Sequence, residues 1–156
     1  MTVNSEVRAF LGKYSPGIAA QVRRARSRMA KLFPKGYELV YDNYNALGFG
    51  YSPNLRASGV VVSVVAYPRW VTLFFLKGAR LSDPNGLLQG RGSTVRSVRL
   101  TSPDLLASKP VASLIKEALR PCAAEFAKAP RLSTVIKSVS AKQRPRRPAA
   151  QSRPVR

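Results

Sequence analysis

Residues 59–76 read GVVVSVVAYPRWVTLFFL, and the reading of this stretch decides the fold. Valine, threonine and phenylalanine favour extended backbone. Pro68-Arg69 cuts the run in two, and proline suits the second position of a tight turn. Each half is too short for a membrane helix, which needs about 20 apolar residues. The stretch is therefore expected to be a β-hairpin. Strict alternation is absent. Val60, Val62 and Val64 point one way and Val61 and Val65 the other, while Thr72 and Phe74 oppose Val71, Leu73 and Phe75. Strands apolar on both sides are central and covered twice, or they leave one face as a groove or interface. A homodimer through an apolar sheet face is one such expectation.

Further strands flank the hairpin. GYELVYD (36–42) and NALGFGYS (45–52) carry aromatic and branched residues between turn residues, NLRASG (54–59) reads as a loop, and TVRSVRL (94–100) is a further strand. DPNG (83–86) has the residues of a type I turn. Helical spacing governs both sides of this β-rich block. EVRAFLG (6–12) is a short helix. In the next, Ser15 can cap, Pro16 takes the first position and Pro34-Lys35-Gly36 stops it. Its stripe is Ile18, Val22, Ala25, Met29 and Leu32. After the strands, Ser102-Pro103 opens a turn, and Ser108 opens a helix whose stripe is Val111, Leu114, Ile115, Ala118, Leu119 and Cys122. Pro121 should bend that helix, with a short extension to about Lys128. The fold class is α+β: a largely antiparallel sheet of about five strands, with N- and C-terminal helices packed on it. Residues 1–130 form a single domain. Residues 131–156, rich in proline and arginine, read as a disordered basic tail.

The charge is extreme: 27 Lys+Arg against 7 Asp+Glu, no histidine, and +20 net. The stretch from Ser140 onward holds six basic residues and no acidic one, so +14 remains on residues 1–139. Such a field attracts polyanions, nucleic acid first and anionic membrane surface second. Arg23, Arg24, Arg28 and Lys31 fall opposite the apolar stripe of the long helix, with Arg26 at its edge. With Lys142, Arg144, Arg146 and Arg147 they are the polyanion-binding candidates. The helix face has no aromatic residue on which a base would stack. The lone Cys122 allows no internal disulfide and MTVNSEVRAF has no secretory pattern, so the expected location is cytoplasmic.

Catalytic residues are hard to find. The chain lacks histidine, the commonest general base and metal ligand, and one cysteine cannot build a zinc site. No catalytic residue, metal site or cofactor is assigned. Glu38 and Asp42 share one face of a strand, where pairing with surplus arginines is the expected use. GRGST (90–94) suggests an anion nest from Gly90, Gly92, Ser93 and Thr94. A nucleotide loop, however, would need a lysine and a following helix, and here a strand follows. The simpler reading is a turn. Arg96 shares a strand face with Val98 and Leu100, so it is either paired with Asp83, Glu38 or Asp42 or faces a ligand. Arg99, on the other face, completes the ligand-binding candidates.

The stretch VTLFFLKGARLSDPNGLLQGRGSTVRSVRL (71–100), followed by KPVASLIKEAL (109–119), is similar to the YdhG-like family, domain of unknown function 1801. YELVYDNYNALGFGYSP (37–53) resembles the family's first strands, and the likeness covers roughly residues 6 to 120. It implies helices on an antiparallel sheet, and most members have no assigned activity. With the usual catalytic bases missing, an uncharacterised non-enzymatic binding or accessory protein is expected. One branch is linked to frataxin-like iron delivery. The carboxylate ridge that such a role uses is missing from this +20 chain.

Overall fold

The structure, a computed structural model, describes residues 2–102 and 104–149. The turn expected at Ser102-Pro103 and the last part of the expected tail, 150–156, fall on or reach into residues outside that range. The first helix, α1, runs Val3–Gly12, with Thr2 accepting the Ser5 N–H at its N-cap. The long helix, α2, runs Pro16–Leu32, with Pro16 in its first turn. Four strands follow: β1 (Tyr37–Asp42), β2 (Leu47–Ser52), β3 (Val62–Ala66) and β4 (Val71–Phe75). The fifth, β5, spans Arg96–Arg99. Helix α3 (Lys109–Leu119) ends as Pro121 demands. A 3-10 turn over Arg120–Cys122 leads into α4 (Ala123–Lys128).

The architecture is α+β, and the pairs from β1 through β5 are antiparallel. The hairpin at 59–76 forms as its sequence predicts, closed by the Tyr67 N–H on the Trp70 carbonyl at 2.9 Å. The sheet has six strands in the order β5-β4-β3-β2-β1-β6. The sixth, β6 (Ser133–Val139), lies parallel to β1 and falls where a disordered tail was expected. The domain therefore does not end at 130. Residues 131–149 return along β1, and Ser140 donates to the Asp42 carbonyl at 2.9 Å.

The helices cover one face. Val40, Leu47, Phe49, Val62, Val64, Val71, Leu73 and Phe75 on that face are fully buried, and they join Val22, Met29, Val111, Leu114 and Ile115 in one core. Each such burial contributes about 1.5–3 kcal/mol. The second face is only partly covered: Val65 and Phe74 are half-buried. Val60, expected beside Val62 and Val64, lies over Gly50 on this second face. It does so because a 3-10 turn at Ala57–Gly59 delays the strand to Val62.

Gly36 joins the two ends of the domain. Its N–H reaches the Pro130 carbonyl at 2.8 Å, its carbonyl accepts from Ser133, and its φ is +109°. A Cβ there would lie 2.6 Å from the Ser52 carbonyl oxygen and 3.0 Å from the Phe126 ring. Gly36→Ala is expected to cost about 2–3 kcal/mol, from a strained φ plus overpacking. A lower urea midpoint at unchanged slope would show it, and a loss under about 0.5 kcal/mol would contradict it.

Candidate functional site

Two carboxylates organise the helix-facing side of β1. Glu38 is buried and accepts from Arg26 at 2.7 and 3.0 Å, from the Tyr51 hydroxyl at 2.6 Å and from the Thr134 hydroxyl at 2.7 Å. Burial alone would raise its pKa. The Arg26 guanidinium, with help from the two hydroxyls, outweighs burial and holds the carboxyl below its ordinary value. The same surroundings push the Tyr51 hydroxyl well up, through burial first and the Glu38 charge second. Arg26, read as an edge residue of α2, is thus a core partner, and its guanidinium also lies 4.7 Å from the Phe49 ring centroid.

Asp42 closes the other end of the strand. Lys13 donates to it at 2.6 Å and Arg146 at 2.9 Å. Here too burial acts upward and is outweighed, by Lys13 first, so the carboxyl titrates below its usual range. Arg146 is 4 % exposed, and it also donates to the carbonyls of Asn43 and Tyr44. It was a polyanion-binding candidate. Burial against Asp42 removes it from the surface and makes it the peg that fastens the segment after β6. Glu38 and Asp42 therefore pair with surplus cations, as the excess of basic residues suggested.

The peg fixes its neighbours. Arg147 donates to the Lys13 carbonyl at 3.3 Å, and the Arg144 N–H donates to the Tyr44 carbonyl at 2.8 Å. The Arg144 guanidinium stands 5.6 Å from the ring centroid of Tyr44, which is 49 % exposed. Lys142, Arg144 and Arg147 are exposed. At the same end of the sheet, Trp70 in the β3–β4 turn is 37 % exposed, and the guanidinium of Arg99, from β5, lies 4.2 Å from its ring centroid. The β1–β2 and β3–β4 turns are two strand spacings apart, roughly 10 Å. This end thus presents two arginine–aromatic stacks within a basic surface.

The other candidates separate. Arg23, Arg24 and Lys31 are exposed on the outer face of α2, and Arg28 is half-buried with its Nε buried and unpartnered. Arg96 meets none of Asp83, Glu38 and Asp42. Its Nη1 folds back onto the carbonyls of Gly92 at 2.6 Å and Val95 at 2.8 Å. The bond to Gly92 closes the exposed Gly90–Thr94 loop as a turn. Asp83 caps its own turn through the N–H groups of Leu87 and Leu88. Tyr44 and Trp70 escaped the sequence reading because Tyr44 stands alone among turn residues and Trp70 reads as the start of an apolar strand; only the tertiary structure sets an arginine over each ring. Protein-family models, curated proteins and solved structures were compared with the chain, and none matches.

Proposed function

We propose that this protein is a non-enzymatic binder of single-stranded nucleic acid. The observation that carries this reading is the pair of exposed arginine–aromatic stacks, Arg144 on Tyr44 and Arg99 on Trp70, at one end of the sheet. Every base has a π-face, so exposed rings hold single strands without sequence preference, while nearby cations neutralise the backbone. Lys142, Arg144 and Arg147, held in place by the Arg146 peg, supply that charge. The exposed cations of α2 extend the field but offer no ring.

The YdhG-like resemblance belongs to the same proposal: it rests on the quoted motifs and is compatible with the α+β fold. The iron role is set aside, since Glu38 and Asp42 are consumed by internal cations.

Trp70 is the chain's only tryptophan, so its fluorescence reports binding directly. An oligothymidine strand is expected to quench it. Tyr44→Ala should weaken binding by about 1–3 kcal/mol with little change in salt dependence. Replacing Lys142, Arg144 and Arg147 by glutamine should flatten the log K against log salt slope by about 2. Point variants are needed because removing the whole segment also removes Arg146. Unchanged affinity in both variants, or duplex bound as tightly as single strand, would refute the reading.

A further inference from the structure

At the opposite end of the sheet, the loops leaving β2 and β4 and the α3–α4 junction enclose a cleft of about 760 Å³. Volumes of about 300–1,000 Å³ suit small organic ligands. The floor is apolar, with Val60, Val61, Leu81 and Ala118 lining it. The β2–β3 loop forms a fixed wall. Asn54 accepts the Arg56 N–H at 2.9 Å and its own N–H donates to Ser52 Oγ at 3.2 Å, while a Cβ on Gly59 would lie 2.5 Å from both side chains.

The rim is cationic. Arg56, Lys77, Arg80 and Arg120 reach it from three separate segments. None of them belongs to the ion pairs found among the described residues. Two carboxylates share the lining, Glu117 and Glu125, so the cleft keeps a net positive charge. Glu117 is already engaged, accepting from the Ser82 N–H at 2.8 Å and the Ser82 hydroxyl at 2.6 Å.

We infer that this cleft binds an amphipathic organic anion: an apolar body ending in one carboxylate or phosphate-monoester group. The body covers Val60, Val61, Leu81 and Ala118, and the head meets Arg80 and Arg120. A neutral molecule of the same shape leaves the cations unmatched, and an inorganic anion leaves the apolar floor wet. The site is separate from the stacks at the other end of the sheet, so either assignment can fail without the other.

Cys122 is half-buried, lines this cleft and is the chain's only cysteine, which makes it a reporter. The test measures how fast uncharged N-ethylmaleimide labels it in the full chain. Octanoate and octyl phosphate are each added below their micelle concentrations, with octanol and inorganic phosphate as controls. At least one of the two anions is expected to slow labelling tenfold or more at saturation, and the better of them identifies the head group. Octanol and phosphate should leave the rate within twofold. The double variant Arg80→Gln/Arg120→Gln should raise the protecting concentration at least tenfold, whereas Tyr44→Ala should not change it. Far-UV circular dichroism and the thermal midpoint report whether the variant folds. If it does not, the single variants Arg80→Gln and Arg120→Gln should each raise the protecting concentration at least threefold. The proposal is overturned if neither anion protects, if octanol protects equally, or if the folded variant is protected as well as the parent.

Discussion

Arg26→Ala is expected to lower the free energy of unfolding by about 3 kcal/mol, the low end for breaking a buried pair, because Arg26 keeps some access to water. Its side chain is 24 % exposed and that of Glu38 only 5 %. The loss arises chiefly from what remains behind: a buried Glu38 charge held by two hydroxyls alone. Small domains are stable by about 5–15 kcal/mol, so the change is a large fraction of the total. The double variant Arg26→Met/Glu38→Leu should recover much of it, since no charge is then left in the core. Denaturant titration of the parent, Arg26→Met, Glu38→Leu and the double variant gives the coupling directly.

The pH dependence of this loss has a definite sign. In the folded state Glu38 sits below its ordinary 4.5 and Asp42 below its ordinary 3.8. Between folded and unfolded values the unfolded chain binds more protons, so stability rises with pH there. The stabilisation is complete above about pH 5 and is lost as pH falls through the folded values. In Arg26→Ala, burial acts on Glu38 without its main counterweight, so this carboxyl protonates at higher pH. The deficit against the parent should therefore be largest near pH 7 and narrow toward pH 3. A deficit below 1 kcal/mol at pH 7, or one that does not vary with pH, would contradict the role given to Arg26.

Shortening the chain from its C-terminal side should cost stability in two steps. Ending at Ser140 keeps β6 but removes Arg146 and Gln143, leaving buried Asp42 with Lys13 alone. A loss of about 3 kcal/mol is expected. Ending at Leu132 also removes β6, and with it the Thr134 bond to Glu38 and the pairing along β1. The two losses together should exceed about 5 kcal/mol, enough to abolish cooperative unfolding in a marginal domain. Thermal melts of the two shortened chains distinguish the steps. Two chains that melt with the parent would show that the segment after Leu132 is dispensable.

The sequence misses this segment for identifiable reasons. Thr134-Val135-Ile136 is a short branched run and a fair strand signal. Around it stand Ser133, Lys137, Ser138 and Val139, all exposed because β6 is an edge strand with water on one side. Periodicity detects burial, and an edge strand has little of it. Its partner, β1, lies almost a hundred residues earlier, and a parallel pairing leaves no turn signature between them. The Pro- and Arg-rich composition around Arg146 likewise suggests a solvated tail; nothing local shows that one guanidinium enters a socket made by Asp42, Asn43 and Tyr44.

Local chemistry was sufficient elsewhere. Two branched, aromatic runs around Pro68 can only make a hairpin, and Pro16, Pro34 and Pro121 bound their helices through a missing N–H and a fixed φ. The fivefold β-block between helices follows from those periods, as does the pairing of Glu38 and Asp42 with cations, since the chain has few carboxylates and many arginines. Which cation meets which carboxylate is a different kind of fact. It depends on residues 12, 29 and 104 positions apart being brought within 3 Å. The same holds for the rings of Tyr44 and Trp70, the folded-back Arg96, and the cleft that three separate segments enclose. Backbone preference and hydrophobic period act over a few residues and are written in the order of the chain. Ion pairs, stacks and cavities form between distant segments, and only the packed structure brings those segments together.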